Sequence, residues 1–259
     1  MPIDLPIWRE ALLGVDYIRL KASRIYYGRG IPKGDGSPVV LVPGFLGIDL
    51  YLVELYGWLW RIGYQPYMSR IGQNAECPNL LVDHLSKTIL RARRETGKRV
   101  QLIGHSLGGV IARGAAMQHP DVVAGVITLG SPVRGVRVHP WVLGSAERVR
   151  KRIHNRRHLF PAQTPHEPGC YTSKCACGFS CTWRESFPDT VRETAIFTKT
   201  DGIVDWKVCV NRDPKTNFEV SGTHCGLAWN PEVYRIIATQ LAVPPLQKRK
   251  PRTARTRAA

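Results

Sequence analysis

The 259-residue sequence lacks any uninterrupted hydrophobic run long enough to cross a bilayer, which takes about 20 apolar residues. Its longest apolar stretch, residues 46–60, is broken by Gly47, Asp49, Glu54 and Gly57. The first ten residues hold prolines and acids where a secretory signal needs a basic start and an apolar core. We therefore expect no membrane span, no export by that route and a cytoplasmic location.

Acidic residues are also scarce, because 20 Asp and Glu stand against 37 Lys and Arg and leave a formal net charge of +17. Part of the excess lies in residues 248–257, which hold six basic residues and no acid in a stretch rich in Pro, Thr and Ala. Such a composition cannot bury a core. It predicts a disordered basic tail over residues 246–259, after a single domain spanning residues 1–245.

A second basic concentration lies between residues 134 and 157, where eight Arg and Lys accompany the single acid Glu147. Runs of this kind attract nucleic acid or anionic lipid in some proteins and are solvated surface in most. We expect no specific nucleic-acid partner. Peripheral contact with an anionic membrane surface is the sharper hypothesis, and ordinary solvated surface is the plain one.

No internal repeat is visible, and apolar runs instead alternate with helical patterns. Val39–Val42 is continuously apolar, which is typical of a strand covered on both faces. Leu81, Leu85 and Ile89 recur at four-residue spacing, so a helix capped by Asn79 and ending before Gly97 is expected. Further strands are predicted at residues 65–70, 100–103, 124–129, 195–198 and 217–220. This alternation favours an α/β fold with a doubly wound, mostly parallel sheet.

One segment, residues 132–188, interrupts the alternation because it contains no clear strand and is rich in Arg, His, Pro and Cys. An insertion of this length in a compact domain is usually functional. It predicts a lid or cap over the active site.

The pentapeptide Gly104–Gly108 lies between a predicted strand and a predicted helix starting at Leu107. A Gly-x-Ser-x-Gly on such a turn strains the serine backbone and raises its hydroxyl above the sheet edge. Ser106 is therefore the candidate nucleophile, and the plain alternative is a glycine-rich turn with an incidental serine. No metal or other cofactor is expected, because serine chemistry needs none.

A nucleophilic serine requires a base and a carboxylate that orients the base, in the chain order serine, acid, histidine for this turn. Asp201 directly follows a predicted strand, and His224 directly follows the last one. Parallel strands end at one edge of the sheet, so these residues are the candidate acid and base. Asp205 remains the alternative acid.

The oxyanion formed in the reaction needs two backbone N–H donors. The residue after the nucleophile, Leu107, provides one by its position. The second is expected from the loop after the first strand, where Gly44 precedes Phe45, and we assign it to Phe45.

The seven cysteines include no pair of Cys-x-x-Cys motifs. Four of them cluster in the predicted lid, at positions 170, 175, 177 and 181, and an irregular zinc site and a disulfide both remain open there. Cys209 and Cys225 flank the loop between the candidate acid and base, and a link between them would fix both.

Four segments together carry a family resemblance: Pro43–Gly47, Gly104–Gly109, Asp201–Val204 and Gly222–Gly226. The chain resembles the α/β-hydrolase superfamily and, within it, bacterial triacylglycerol lipases and esterases. It departs at Pro43, where many of these lipases have histidine. The resemblance implies ester or lipid hydrolysis through Ser106, Asp201 and His224 as nucleophile, acid and base. Acyl transfer, thioester or amide cleavage by the same residues, and a non-catalytic binding protein of this fold, are the alternatives.

Overall fold

In the computed structural model, residues 3, 5–156, 177–183 and 185–246 are described. Within these ranges six strands form one sheet in the order β2-β1-β3-β4-β5-β6, and every neighbouring pair is parallel. The doubly wound parallel sheet is thus confirmed. The strands are β1 (Pro38–Val42), β2 (Gln65–Met68), β3 (Val100–His105), β4 (Val123–Leu129), β5 (Arg192–Phe197) and β6 (Asn217–Glu219).

Helices cover both faces of this sheet. The α-helices are α1 (Leu13–Ala22), α2 (Val53–Arg61), α3 (Pro78–Thr96), α4 (Leu107–Gln118), α5 (Pro140–Arg156), α6 (Gly178–Trp183) and α7 (Pro231–Leu241). Short 3-10 helices are Ile7–Leu12, Asp49–Leu52, Trp206–Val208, Pro214–Thr216 and Cys225–Trp229. One core joins α1, α2 and α7 to the sheet, and a second joins α3 and α4 to its other face.

The apolar run of β1 supplies both cores because successive side chains of a strand point to opposite faces. Val39 and Leu41 belong to the core under α1, α2 and α7, whereas Val40 and Val42 belong to the core under α3 and α4. All four are fully buried. This explains why the strand has no polar position.

The strand order changes direction at β1, because β2 pairs with one edge of β1 and β3 pairs with its other edge. In open α/β sheets the crevice beyond the carboxyl ends of such strands is where ligands bind. Here those ends lead into Pro43–Gly47 and into Ser106. The topology therefore brings the predicted oxyanion loop next to the predicted nucleophile.

The start of α3 differs from the expectation that Asn79 caps it. The helix begins at Pro78 with Cys77 at the cap position, two residues before the expected cap, and proline suits the first helical position because it has no N–H to leave unpaired. The Asn79 side chain instead accepts a hydrogen bond from the N–H of Phe179 at 2.9 Å, which ties α6 to α3. The predicted end is confirmed, since Gly97 is left-handed at φ 68°.

The predicted insertion, residues 132–188, contains α5 and α6 and no strand among its described residues. Residues 157–176 and Arg184 lie outside the described ranges, as does most of the predicted tail, residues 247–259. None of the helices in the described ranges has the length and apolar character needed to span a bilayer.

The apolar stripe of α3 yields a matched pair of substitutions. Leu85 is fully buried, whereas Leu90 on the same helix is 38 % exposed. Leu85→Ala is expected to lower the free energy of unfolding by about 2–5 kcal/mol because it leaves a cavity. Leu90→Ala should change it by less than about 1 kcal/mol. Denaturant unfolding of both variants measures this, and equal losses would contradict the assigned core.

Candidate active site

Ser106 lies on the turn from β3 into α4 in a strained conformation, with φ 51° and ψ −126°. A positive φ is costly for a residue with a side chain, and it persists only where the surroundings impose it. Two backbone hydrogen bonds hold it: the Ser106 N–H donates to the Leu129 carbonyl at 2.8 Å, and the Gly109 N–H donates to the Ser106 carbonyl at 3.0 Å. The predicted strand-turn-helix context is therefore present.

The two outer glycines of the pentapeptide are required by close backbone approach. A Cβ on Gly104 would lie 2.4 Å from the Gly109 Cα, and one on Gly108 would lie 2.3 Å from the Val42 carbonyl oxygen. Both distances are far inside van der Waals contact. Glycine at 104 thus lets the strand approach the start of α4, and glycine at 108 lets the turn pack against the end of β1.

The structure brings Asp201 and His224 together at the carboxyl ends of β5 and β6. Asp201 Oδ2 lies 2.6 Å from His224 Nδ1, and the two side chains are only 2 % and 3 % exposed. The other carboxylate oxygen, Oδ1, accepts from the N–H groups of Ile203 and Val204 at 2.8 and 2.7 Å. Because the Asp201 carboxylate accepts from Nδ1, the ring proton lies on Nδ1 and the Nε2 lone pair is left free.

Asp205, the alternative acid, points elsewhere. Its Oδ2 lies 3.1 Å from Nε of Arg137, and its Oδ1 accepts from the N–H of Lys207 at the start of a 3-10 helix. It is thus a capping and ion-pairing residue in this structure.

The His224 ring is held in an environment that favours its charged form. Burial opposes a charge on the ring, but the Asp201 carboxylate and, beyond it, Glu10 outweigh burial and raise the pKa of His224 above its usual value. A base with a raised pKa accepts a proton more readily.

His105, the residue before the candidate nucleophile, contacts the candidate base. Its Nε2–H donates to the His224 carbonyl at 3.0 Å, and the two rings are 4.9 Å apart. Burial, with a smaller effect from His224, lowers the pKa of His105 to about 3. The ring is therefore a neutral donor that supports the His224 backbone.

The loop after β1 is shaped by Asn74, which no sequence motif marks. The Asn74 side chain donates to the Pro43 carbonyl at 2.8 Å, and its backbone exchanges hydrogen bonds with Leu46 and Gly47, both at 2.9 Å. Among the described residues, the N–H groups of Phe45 and Leu107 have no acceptor. Both assigned oxyanion donors are thus unengaged.

Glu10 and Asp16 also contact the candidate site, and the sequence did not predict either of them. The Glu10 carboxylate accepts from the N–H groups of Gly202, His224 and Cys225, and Asp16 accepts from Thr223. No motif marks them. They are the only two acids between residues 5 and 34, but the sequence does not show that either side chain faces inward.

A cavity of about 430 Å³ opens beside the turn and is bordered by both Ser106 and His224. Its described walls are mainly apolar and come from the loop after β1, from α5 and from the segment after Asp201; they include Phe45, Leu46, Leu107, Val138, Trp141, Val142, Leu143 and Ile203. The predicted insertion therefore contributes wall residues. In the described part of the chain no hydrogen bond joins Ser106 Oγ to His224, a contact that often forms only with substrate bound.

The cysteine expectations have separate outcomes. Cys209 and Cys225 are not joined, and the Cys209 thiol faces the Asp205 carbonyl at 3.7 Å. Cys170 and Cys175 lie outside the described residues, so zinc and a disulfide stay open there. Within the described ranges, no group of three or more Cys, His, Asp or Glu is arranged to hold a metal ion.

Sequence comparison with known proteins also finds hydrolases. Residues 71–187 match the family model described as Hydrolase_4, serine aminopeptidase, S33. A triacylglycerol lipase of Pseudarthrobacter phenanthrenivorans is 34 % identical over 107 residues, which are 38 % of this chain. That match spans about a third, 34 %, of the length of the lipase.

Solved structures add evidence on the fold. Aspergillus fumigatus lipase B superposes with a TM-score of 0.55 at 15 % identity, over 85 % of this chain and 55 % of that one. A soluble variant of monoglyceride lipase from Saccharomyces cerevisiae gives 0.54 at 15 % identity, over 82 % and 89 %. At such identities the likeness concerns the fold alone. Together with the parallel sheet, it gives this chain the α/β-hydrolase fold, and the partial sequence matches make it resemble the bacterial lipases and esterases.

Proposed function

We propose that the protein is a serine carboxylic ester hydrolase of the lipase or esterase type. One observation carries the proposal: Ser106 on its strained turn and the Asp201-bonded ring of His224 border the same apolar cavity. A nucleophile, a base held in one tautomer and an apolar acyl site are what ester cleavage through an acyl-enzyme requires.

In the proposed acylation, Ser106 Oγ attacks the ester carbonyl carbon while His224 Nε2 takes the hydroxyl proton. The carbonyl oxygen becomes an oxyanion, and the Asp201 carboxylate stabilises the imidazolium. When the oxyanion collapses, the bond to the alcohol oxygen breaks and Nε2 returns the proton to that oxygen. Water then adds to the acyl-serine by the same route, which releases the carboxylic acid and restores the serine hydroxyl.

The Phe45 and Leu107 amides are the proposed oxyanion donors. Neither N–H is engaged with another described residue, and both residues border the cavity beside Ser106. Preorganised donors matter because they pay no reorganisation cost as charge develops, and losing one costs roughly 3–4 kcal/mol of transition-state stabilisation.

The cavity walls favour a neutral ester with an apolar acyl chain. Among the described residues that border the cavity there is no Asp, Glu, Lys or Arg. A charged acyl group would therefore lose its hydration without gaining a partner. The name of the relative with 34 % identity, triacylglycerol lipase, supports acylglycerols or simpler esters as substrates.

Peptide hydrolysis is a second candidate, because the matching family model is described as a serine aminopeptidase. An aminopeptidase binds a free ammonium group, and a buried ammonium group needs a carboxylate partner. The cavity offers none among its described wall residues, so the ester reading is favoured. Acyl transfer, thioester cleavage and amide cleavage use the same residues, and a non-catalytic binding protein uses none.

A panel of p-nitrophenyl esters of increasing acyl length, with a thioester and an aminoacyl anilide beside them, separates these readings. Turnover of the esters is the expected result. Faster cleavage of the anilide would favour the peptidase, and no turnover of any substrate would favour the binding protein.

We further propose that the segment from Pro132 through α5 is the cavity cover and contacts anionic lipid. Val136 and Trp141 border the cavity yet are 61 % and 56 % exposed, so they lie at its mouth. The exposed cations Arg148 and Lys151 follow on α5. Apolar residues flanked by cations suit an anionic lipid surface.

Ser106→Ala is expected to lower ester turnover by roughly 10⁴-fold or more, since the nucleophile is lost. Little buried surface changes, so the circular dichroism spectrum should be unchanged. Ser37→Ala is the matched control, because Ser37 precedes β1 at the amino end of the sheet, away from Ser106, and this variant should keep full activity. An active Ser106→Ala enzyme would end the proposed mechanism.

Asp201→Asn is expected to lower kcat by roughly 10³–10⁴-fold, because an amide no longer selects the tautomer with the proton on Nδ1. Asp205→Asn should leave kcat within about tenfold of wild type, since that residue pairs with Arg137 and caps a turn. Steady-state kinetics on one ester measures both, and the reverse ranking would make Asp205 the acid.

Replacing both Arg148 and Lys151 by Gln tests the lipid contact. Each cation near an anionic surface contributes about 1 kcal/mol, so binding to phosphatidylserine vesicles at low salt should weaken roughly 30-fold. Lys87→Gln with Arg94→Gln removes the same two charges from α3 and is the control. Equal losses in both pairs would mean that net charge alone attracts the vesicles, and the α5 cations would then be ordinary surface.

A further inference from the structure

One carboxylate links the N-terminal 3-10 helix Ile7–Leu12 to both loops of the predicted acid and base. Glu10 Oε1 accepts from the N–H of Gly202 and from the N–H of His224, each at 3.0 Å. Oε2 accepts from the N–H of Cys225 at 2.9 Å. Oε1 thus contacts both His224, the proposed base, and Gly202, the residue directly after the proposed acid.

The packing around these bonds is close. A Cβ on Gly202 would lie 2.8 Å from the Pro6 carbonyl oxygen and 3.1 Å from Glu10 Oε1, so the acid loop accepts the N-terminal segment only with glycine there. His224 is held at both of its backbone groups, because its N–H donates to Glu10 and its carbonyl accepts from His105. The position of the ring therefore depends on both contacts.

A second acid, Asp16, contacts the loop that carries His224. Asp16 Oδ2 lies 3.2 Å from both the N–H and the hydroxyl of Thr223, the residue before the base. Asp16 contacts one loop only, whereas Glu10 contacts both. The geometry thus singles out Glu10 as the group that sets the acid loop and the base loop relative to each other.

We propose that Glu10 is a positioning residue for catalysis: its carboxylate fixes the distance between Asp201 and His224 and supplies a negative charge that helps His224 accept a proton. The proposal rests on the proposed hydrolase function. Glu10 does not border the described cavity, so it acts through the two loops rather than on the substrate.

The charge near His224 comes from few groups. Among the described residues, the titratable groups near it are Asp201, Glu10, His105, Cys225 and Tyr51, and Asp16 contacts the neighbouring Thr223. Burial raises the pKa of the Cys225 thiol to about 12 and that of Tyr51 well above its usual value, and burial lowers the pKa of His105 to about 3. These three are neutral near pH 7, which leaves the carboxylates to set the field.

The direction of the effect follows from the sign of the charge. A carboxylate stabilises the protonated imidazole, so removing the Glu10 charge lowers the pKa of His224. The base works as neutral imidazole, and kcat/KM therefore rises with pH through that pKa. Loss of the charge therefore shifts this rise of kcat/KM, the acid limb of the pH profile, to lower pH.

The first measurement does not need turnover. In a Ser106→Ala background, the His224 imidazole signal is titrated by NMR with and without Glu10→Gln. We expect the His224 pKa to fall by roughly half to one unit, as for loss of a nearby charge. Glu95→Gln is the matched control, because Glu95 on α3 also accepts a hydrogen bond, from Tyr67, and should leave the pKa unchanged.

The second measurement uses the active enzyme. Glu10→Ala removes both acceptor oxygens and with them all three hydrogen bonds. It should lower kcat roughly 10- to 100-fold with KM within about twofold, because the reacting groups are misaligned while the cavity is intact. Glu10→Gln keeps the Oε1 acceptor and should retain more of kcat, with its acid limb moved down by the same amount as the NMR pKa.

The outcomes separate the two proposals. A His224 pKa and a kcat that match the Glu95→Gln control in both Glu10 variants would overturn the positioning role. An unfolded Glu10→Ala, seen by circular dichroism, leaves Glu10→Gln to decide. Absence of ester turnover in the wild-type protein would overturn the hydrolase, while the NMR titration would still test what Glu10 does to His224.

Discussion

Parallel pairing is the constraint on which the rest of this structure depends. In a parallel sheet all strands end at one edge, so the chain segments that follow β1, β3, β5 and β6 meet there although they are far apart in the sequence. The hydrogen-bonding register of the sheet thereby sets the separations at the site before any side chain contributes. Buried faces on both sides prevent that register from slipping, because a slip of one residue would exchange the two cores.

Much of this arrangement was predictable from the sequence. The continuous apolar strand Val39–Val42 and the four-residue spacing in α3 predict elements covered on both faces and on one face, respectively, and the α/β fold class follows from their alternation. Ser106, Asp201 and His224 were located by what precedes each of them, namely a strand. The structure places them at one edge, and their catalytic roles stay predictions.

Other features left no readable pattern. Glu10 acts through backbone N–H groups, and every residue has one, so no partner residue type signals the contact. Asn74 likewise bonds backbone atoms of the loop after β1. The expected cap at Asn79 was wrong for a related reason: an Asn side chain has many possible donors, and a tertiary partner, Phe179, took the place of the local one. Local rules account for elements, whereas these contacts depend on which elements meet.

The contact between Glu10 and His224 also bears on the order in which the protein is completed. The two residues are 214 positions apart, and the loop that carries the base follows the last strand of the sheet. During synthesis the segment that carries Glu10 emerges before any of the six strands, so its carboxylate meets these partners only after nearly the whole domain has emerged. Contacts of such high sequence separation slow folding, because the entropy of closing the long loop between them is lost before they can form. A nascent or truncated chain that stops just before residue 224 contains all six described strands but lacks the proposed base, so the proposed proton transfer requires the finished domain.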